Sequence, residues 1–376
     1  MALSFPGCGR QSRAALLSRA GRPRPDCSVC NASEKAGEYV GRRPGGPPHK
    51  AKWHRLAILL LLLPAFTIAQ SSEEQQAEGH ARQSYALAQE GRLPESETEM
   101  QEAIRLSPKN PLYRSALAGL FVQDGKLSRA KTELEEALHL NPPEPMQARF
   151  LDRLKQIDLT FAAQLAQSGR YRDGLQVAVS AAERFSEEAR VFQMLGYFQA
   201  KLQLNRDAVR SYSRALQLDP SSSEANVGLG TAQFSAGMEN ESVRTLEAGL
   251  VRFPSDANHY QALGVVLTRL AEEGQDTRAR AQSLFKKALQ IDGLLPEAHY
   301  ELGVAALAAG DLGSAKNHLL VAERGAPNDS RVHFALARLF RLEDNTEASA
   351  NEMKSFLAAK AAERSRGAST IGASVR

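Results

Sequence analysis

The sequence predicts an all-α fold, a solenoid of about eight antiparallel helix pairs, and three observations carry that prediction. Leu195-Gly196, Leu229-Gly230 and Leu263-Gly264 follow one another at 34 residues. Segments such as Ala215-Leu216-Gln217-Leu218-Asp219-Pro220 close several of the same units. A Gly recurs between the two halves of a unit, as at Gly125, Gly237 and Gly310. Self-similarity at one fixed period means a single supersecondary unit stacked many times. One helix pair cannot bury its apolar face alone, so neighbours stack and stability becomes a nearest-neighbour sum.

The front of the chain is a different material. Residues 1–55 are rich in Arg, Pro and Gly, as in Gly41-Arg42-Arg43-Pro44-Gly45-Gly46-Pro47-Pro48, and read as a disordered basic leader. Residues 56–69 follow the basic Lys52-Trp53-His54-Arg55 with an apolar run that ends in small residues. These are the parts of a secretory signal peptide, with cleavage expected between Ala69 and Gln70. The run holds Pro64 and is short for a membrane-spanning helix, so an uncleaved anchor stands second. The length of the leader raises the further expectation that translation starts downstream, at Val40 if its codon initiates. Residues 70–76 are expected as a linker.

Eight units are expected over residues 77–358, starting near 77, 111, 155, 189, 223, 257, 296 and 330. With positions counted so that Leu-Gly falls at slots seven and eight, Pro111 to Glu144 is the cleanest unit. It places Leu117-Ala118 there, Phe121 at eleven, Gly125 at fifteen, Ala130 at twenty and Pro142 at thirty-two. The units from Ala189, Ser223 and Pro296 follow the same pattern, and those from Ala77, Lys155, Ala257 and Ser330 keep less of it. The sixth unit carries an insertion around Glu272-Glu273-Gly274-Gln275-Asp276. After Pro142-Pro143-Glu144-Pro145, the apolar spacing of Phe150, Leu154, Ile157, Phe161 and Leu165 predicts an extended first helix for unit three. Residues 359–376 are expected as a helix end and a disordered tail.

Each slot has a physical reason. Small residues at eight, twenty and twenty-seven let two helices approach closely. Large apolar residues at seven, eleven and twenty-four fill the space between them. Gly at fifteen serves the turn, where positive φ costs it nothing. Pro at thirty-two stops the second helix, lacking the amide donor and clashing with the preceding turn.

This pattern resembles the tetratricopeptide repeat. The resemblance implies a right-handed superhelix whose first helices line a concave groove, and a role in binding rather than catalysis. It also implies that groove contacts come from slots two, five, six, nine, twelve and thirteen. Here those slots hold Tyr85, Gln123, Gln193, Tyr197, Lys201, Thr231, Phe234, Gln261, Arg269, Tyr300, Glu301, Phe334, Arg338 and Arg341. Tyr197, Tyr300 and Phe334 are expected as exposed aromatic anchors, with packing between units as the alternative. Lys201 joins them as a groove candidate, and Arg269, Arg338 and Arg341 are placed to grip acidic or carboxylate groups. One branch of the family holds chaperone carboxylate tails with Lys at slot five and Asn at six and nine. Units one and two here offer Ala81, Arg82 and Tyr85, then Ser115, Ala116 and Gly119, so that clamp is absent.

Charge and cysteine usage narrow the classes further. Eleven Lys/Arg against three Asp/Glu put +8 on residues 1–55, and the whole chain is +4, leaving about −4 on the rest. The basic balance belongs to the leader, so a nucleic-acid role loses its support. Cys8, Cys27 and Cys30 all lie in the leader, and a cleaved chain has no thiol chemistry. Cys27-Ser28-Val29-Cys30 has the spacing of half a zinc site with no second half nearby.

No catalytic constellation survives the repeat register. Gly228-Leu229-Gly230 looks like the start of a phosphate loop, but no strand precedes it and the register explains both glycines. His80, His299 and His333 all fall at slot four, where repetition in separate units favours helix packing over a metal or acid–base set. Glu133, Glu135 and Glu136 read as a solvated helix face. The expectation is therefore a non-enzymatic, exported scaffold, periplasmic or secreted, that holds a protein or peptide partner in its groove. Envelope or secretion-machinery assembly is its expected setting. No cofactor, nucleic acid or small-molecule substrate is expected, and membrane contact follows only from an uncleaved signal. The alternative is a non-catalytic accessory subunit of a glycan-handling or transferase complex.

Overall fold

A computed structural model describes residues 72–270 and 275–371. The leader, the apolar segment 56–69, the expected cleavage position and part of the sixth unit's insertion lie outside the described residues.

The described residues form sixteen helices and no strand. Helix α1 (Ser72–Gln89) packs on α2 (Leu93–Leu106), α3 (Pro111–Gln123) on α4 (Leu127–His139), and α5 (Glu144–Gln167) on α6 (Tyr171–Arg184). Helix α7 (Ala189–Lys201) pairs with α8 (Asn205–Leu218), α9 (Ser223–Ser235) with α10 (Glu239–Arg252), and α11 (Ala257–Leu270) with α12 (Gln275–Ile291). Helix α13 (Pro296–Ala308) pairs with α14 (Leu312–Gly325), and α15 (Ser330–Leu342) with α16 (Thr346–Ile371). Every helix also packs on the next in sequence, so the eight pairs form a solenoid. From α5 onward each odd helix touches the odd helix two places on, while no two even helices meet to that extent among the described residues. Odd helices therefore form the tighter, inner layer of the stack.

The slot chemistry explains the regularity. At slot fifteen Gly91, Gly125, Gly169, Gly237 and Gly310 take φ of 70° to 79°, the left-handed turn that reverses the chain. Gln203 (φ 60°) and Asp344 (φ 57°) occupy that turn in units four and eight, at a cost of about 1 kcal/mol each. Slot twenty-four supplies the core: Met100, Leu246 and Leu319 are fully buried, each closed over by the following pair. Burying a side chain of this size contributes roughly 1.5–3 kcal/mol.

Two further devices tie each pair. Ser96, Ser242 and Ser349 at slot twenty donate their hydroxyls to the slot-eight carbonyls of Ser84, Gly230 and Ala337, each at 2.7–2.8 Å. Slot four bridges to the residue nineteen positions on in His80–Glu99 (2.6 Å), Arg114–Glu133 (3.0 Å), His299–His318 (2.9 Å) and His333–Glu352 (2.8 Å). His299 and His333 also reach back, through Nε2, to the backbone carbonyls of Gly293 and Pro327 that precede their own helices.

Three boundaries differ from expectation. Helix α1 starts at Ser72 and takes in most of the expected linker 70–76; Glu73 and Glu74 in its first turn complement the helix dipole. Helix α5 is the extended first helix expected for unit three, and it starts at Glu144, ahead of the unit boundary near 155, because Pro145 is tolerated in a first turn. Helix α16 runs on to Ile371 through the expected disordered tail, since no Pro interrupts it. Among the described residues, no helix is long and apolar enough to cross a membrane.

Candidate binding groove

The inner face opens into a cleft of about 400 Å³ where α9, α11 and α13 meet. Helix α9 contributes Glu224, Val227, Gly228 and Thr231, and α11 contributes Asn258, Gln261, Ala262 and Val265. Both sets follow i, i+3, i+4 and i+7, which puts four side chains on one face of a helix. In both helices these are slots two, five, six and nine. Asp256 and Glu297 complete the rim.

Two small residues lie in the floor of the cleft. Gly228 and Ala262 both occupy slot six. A Cβ on Gly228 would lie 2.5 Å from ring carbons of Tyr212, a residue only 7% exposed. Thr231 turns its hydroxyl back onto the carbonyls of Val227 and Gly228, leaving its methyl side to the cleft. On the α11 wall, the Gln261 side-chain carbonyl is buried without a hydrogen-bond partner.

The rim is acidic, and most of its carboxylates are held. Glu224 accepts from the Gln193 amide. Burial opposes ionisation of Asp256, but hydrogen bonds from the Ser223 hydroxyl and the Asn258 amide hold its carboxyl below the usual range. Glu297 takes a bidentate pair from Arg331 at 2.9 and 2.7 Å, and Asp329 takes a third bond at 2.7 Å. These partners keep Arg331 firmly protonated. Burial, reinforced by Glu297, pushes the neighbouring Glu301 carboxyl up, while Arg269 and Arg331 pull it down.

The groove residues named from sequence fall into three places. On α7, Tyr197 is half-buried, with its ring edge-on to Phe198 at 5.3 Å and the Lys201 ammonium 5.5 Å from the ring centre. Beside the cleft, Tyr300 is half-buried beneath the Arg331 guanidinium at 4.8 Å, and exposed Arg269 faces Glu301. Neither tyrosine stands free as an anchor, because each already packs against the core and carries a cation on its face. At the far end Phe334, Arg338 and Arg341 share one face of α15. Phe334 is 45% exposed with its ring 5.5 Å from Phe356, and neither arginine has an ion pair among the described residues. Val227, Gly228, Ala262 and Val265 were not singled out as groove residues. Their signal was the pair of small residues at slot six of consecutive units.

The comparisons with known proteins agree with the repeat register. Tetratricopeptide repeat family models match residues 194–257 and 274–339. No curated protein matches the sequence. Among solved structures, a tetratricopeptide repeat protein from Parabacteroides merdae is similar at 19% identity and a TM-score of 0.49, over 71% of this chain and 99% of that one. Pseudomonas aeruginosa PilF is similar at 16% identity and a TM-score of 0.45, over 54% of this chain and 90% of that one. YrrB, described as having an unusual peptide-binding site, is similar at 21% identity and a TM-score of 0.40, over 53% and 95%. The chain carries tetratricopeptide repeats over residues 194–257 and 274–339.

Proposed function

We propose that this protein is an exported scaffold that holds an extended segment of a partner protein on its inner face, in the cleft between α9, α11 and α13. The observation that carries this reading is the cleft itself. Its volume of about 400 Å³ lies in the usual range for ligand sites, and Gly228 and Ala262 lie in its floor. The carboxylate rim favours a segment that brings Lys or Arg to Glu224 or Asp256. Exposed Arg338 and Arg341 offer a second contact for acidic groups farther along the same segment.

Export rests on the basic flank, the apolar run 56–69 and the small residues before Gln70. The mature protein is then periplasmic or secreted, and its setting is envelope or secretion-machinery assembly.

The test replaces Thr231 with Trp, which fills the cleft from an exposed position. Capture of native partners should fall at least about tenfold, the scale of a lost hot spot, with the melting temperature unchanged. Undiminished capture by a well-folded variant would remove the cleft from the account. Terminal sequencing of the native protein tests export separately, with Gln70 as the expected first residue and an intact leader as the contrary result.

A further inference from the structure

A second site lies away from the groove, where α14, α15 and α16 meet. Among the described residues, this is the place where three metal-ligating groups bring their ligand atoms within 4.8 Å of one another: Glu323, His333 and Glu352. His333 is 6% exposed. Its Nε2 lies 2.9 Å from the carbonyl oxygen of Pro327. A carbonyl only accepts, so Nε2 donates its hydrogen to it and Nδ1 is the ring nitrogen turned towards the carboxylates. Nδ1 stands 2.8 Å from Glu352 Oε2, across a shared proton that a bound cation would displace, with Glu323 Oε1 at 4.0 Å. A backbone carbonyl on the remote nitrogen is how proteins orient histidines that bind metals.

The carboxylates strengthen the case. Neither Glu323 nor Glu352 has a Lys or Arg ion-pair partner among the described residues, although both are largely shielded, at 29% and 17% side-chain exposure. The rim carboxylate Glu297, by contrast, is held by Arg331. The other slot-four bridges differ as well. His299 meets a second imidazole, that of His318, and among the described residues no third ligating group joins either that pair or His80–Glu99 within the same distance.

We infer that Glu323, His333 and Glu352 form a binding site for a divalent cation of the zinc class, fastening the last two helix pairs together. One imidazole and two carboxylates suit Zn²⁺, leaving a fourth position open. For bonds of about 2.1 Å, ligand atoms of a tetrahedral site stand roughly 3.4 Å apart, between the two distances observed here. A small rotation of the glutamate side chains reaches that spacing.

The test is a titration of the full, chelator-stripped protein with zinc chloride, followed by calorimetry and by melting temperature. Wild type should take up one equivalent at micromolar affinity or better and melt at a higher temperature with zinc. Glu323→Gln, at a half-exposed position, should fold and bind at least about tenfold more weakly. Glu352→Gln should do the same, while His299→Gln, one unit away, should leave binding unchanged. Absence of saturable uptake by wild type would overturn the inference. So would uptake insensitive to both glutamate variants, which would mark an adventitious surface ion only.

Discussion

The cleft between α9, α11 and α13 and the inner face of α15 belong to the same inner layer, yet they are built for opposite chemistry. In the cleft the floor is small and the rim is acidic, with Glu297 paired to Arg331 and Asp256 held by hydrogen bonds. On α15 the face is large and cationic, with Phe334 exposed and Arg338 and Arg341 unpaired among the described residues. The scaffold is the same in both places, because slots seven, eight, eleven, twenty and twenty-four set the packing. Slots two, five, six, nine and twelve, where the proposed recognition lies, are left free by packing to change from unit to unit. On the proposed function, a single extended partner lying along the groove would meet acidic and basic stations in turn.

The largest effect expected from this contrast is on stability. Gly228→Val drives a side chain into the Tyr212 ring, already 2.5 Å from a Cβ there, and should cost about 2 kcal/mol by chemical denaturation. Arg338→Ala, on the open α15 face, should stay within about 0.5 kcal/mol of wild type. Equal losses would mean the two regions are not built differently.

Binding should separate them next. The double change Arg338→Glu and Arg341→Glu should weaken partner capture by about tenfold and reduce its salt dependence, because exposed charge pairs are screened by ions. Capture that is equally salt-sensitive in the variant would place the electrostatic contact elsewhere.

The smallest effect concerns pH. His259 is fully buried behind the cleft, stacked on Phe253, with its Nε2 3.1 Å from Asn226 Oδ1. Burial pushes its imidazole below the ordinary value, with Asp256 opposing in part. The folded state therefore favours the neutral ring. Stability is fully present above the unfolded pKa of about 6.5 and is lost as pH falls from there towards the lowered folded value. His259→Gln should show a shallower loss between roughly pH 7 and 5 than wild type in matched denaturant titrations. An unchanged slope would assign the acid sensitivity to other groups.

The fold was legible in the sequence because packing repeats. Leu195-Gly196 and its 34-residue echoes mark close helix approach, and Gly125 or Gly310 marks the turn. Turns at Gln203 and Asp344 were not legible, since only the backbone shows that they take the left-handed conformation of the missing Gly. The site was legible in part. Thr231 and Gln261 sit at the slots the resemblance assigns to a groove, and both line the cleft. Tyr197 and Tyr300 sit at such slots too, but their rings are half-buried beneath Lys201 and Arg331. A slot gives the direction in which a side chain leaves its helix. What a neighbouring unit sends to meet it depends on residues such as Arg331, 31 positions after Tyr300.

The measurement that tests the central claim most directly is photocrosslinking in cells from single positions on the two faces. A crosslinking residue at Thr231, inside the cleft, is compared with one at Val251, which is 85% exposed on the second helix of the same pair. The account predicts a discrete partner adduct from position 231 and none from 251. The same adduct from 251, with none from 231, would contradict it.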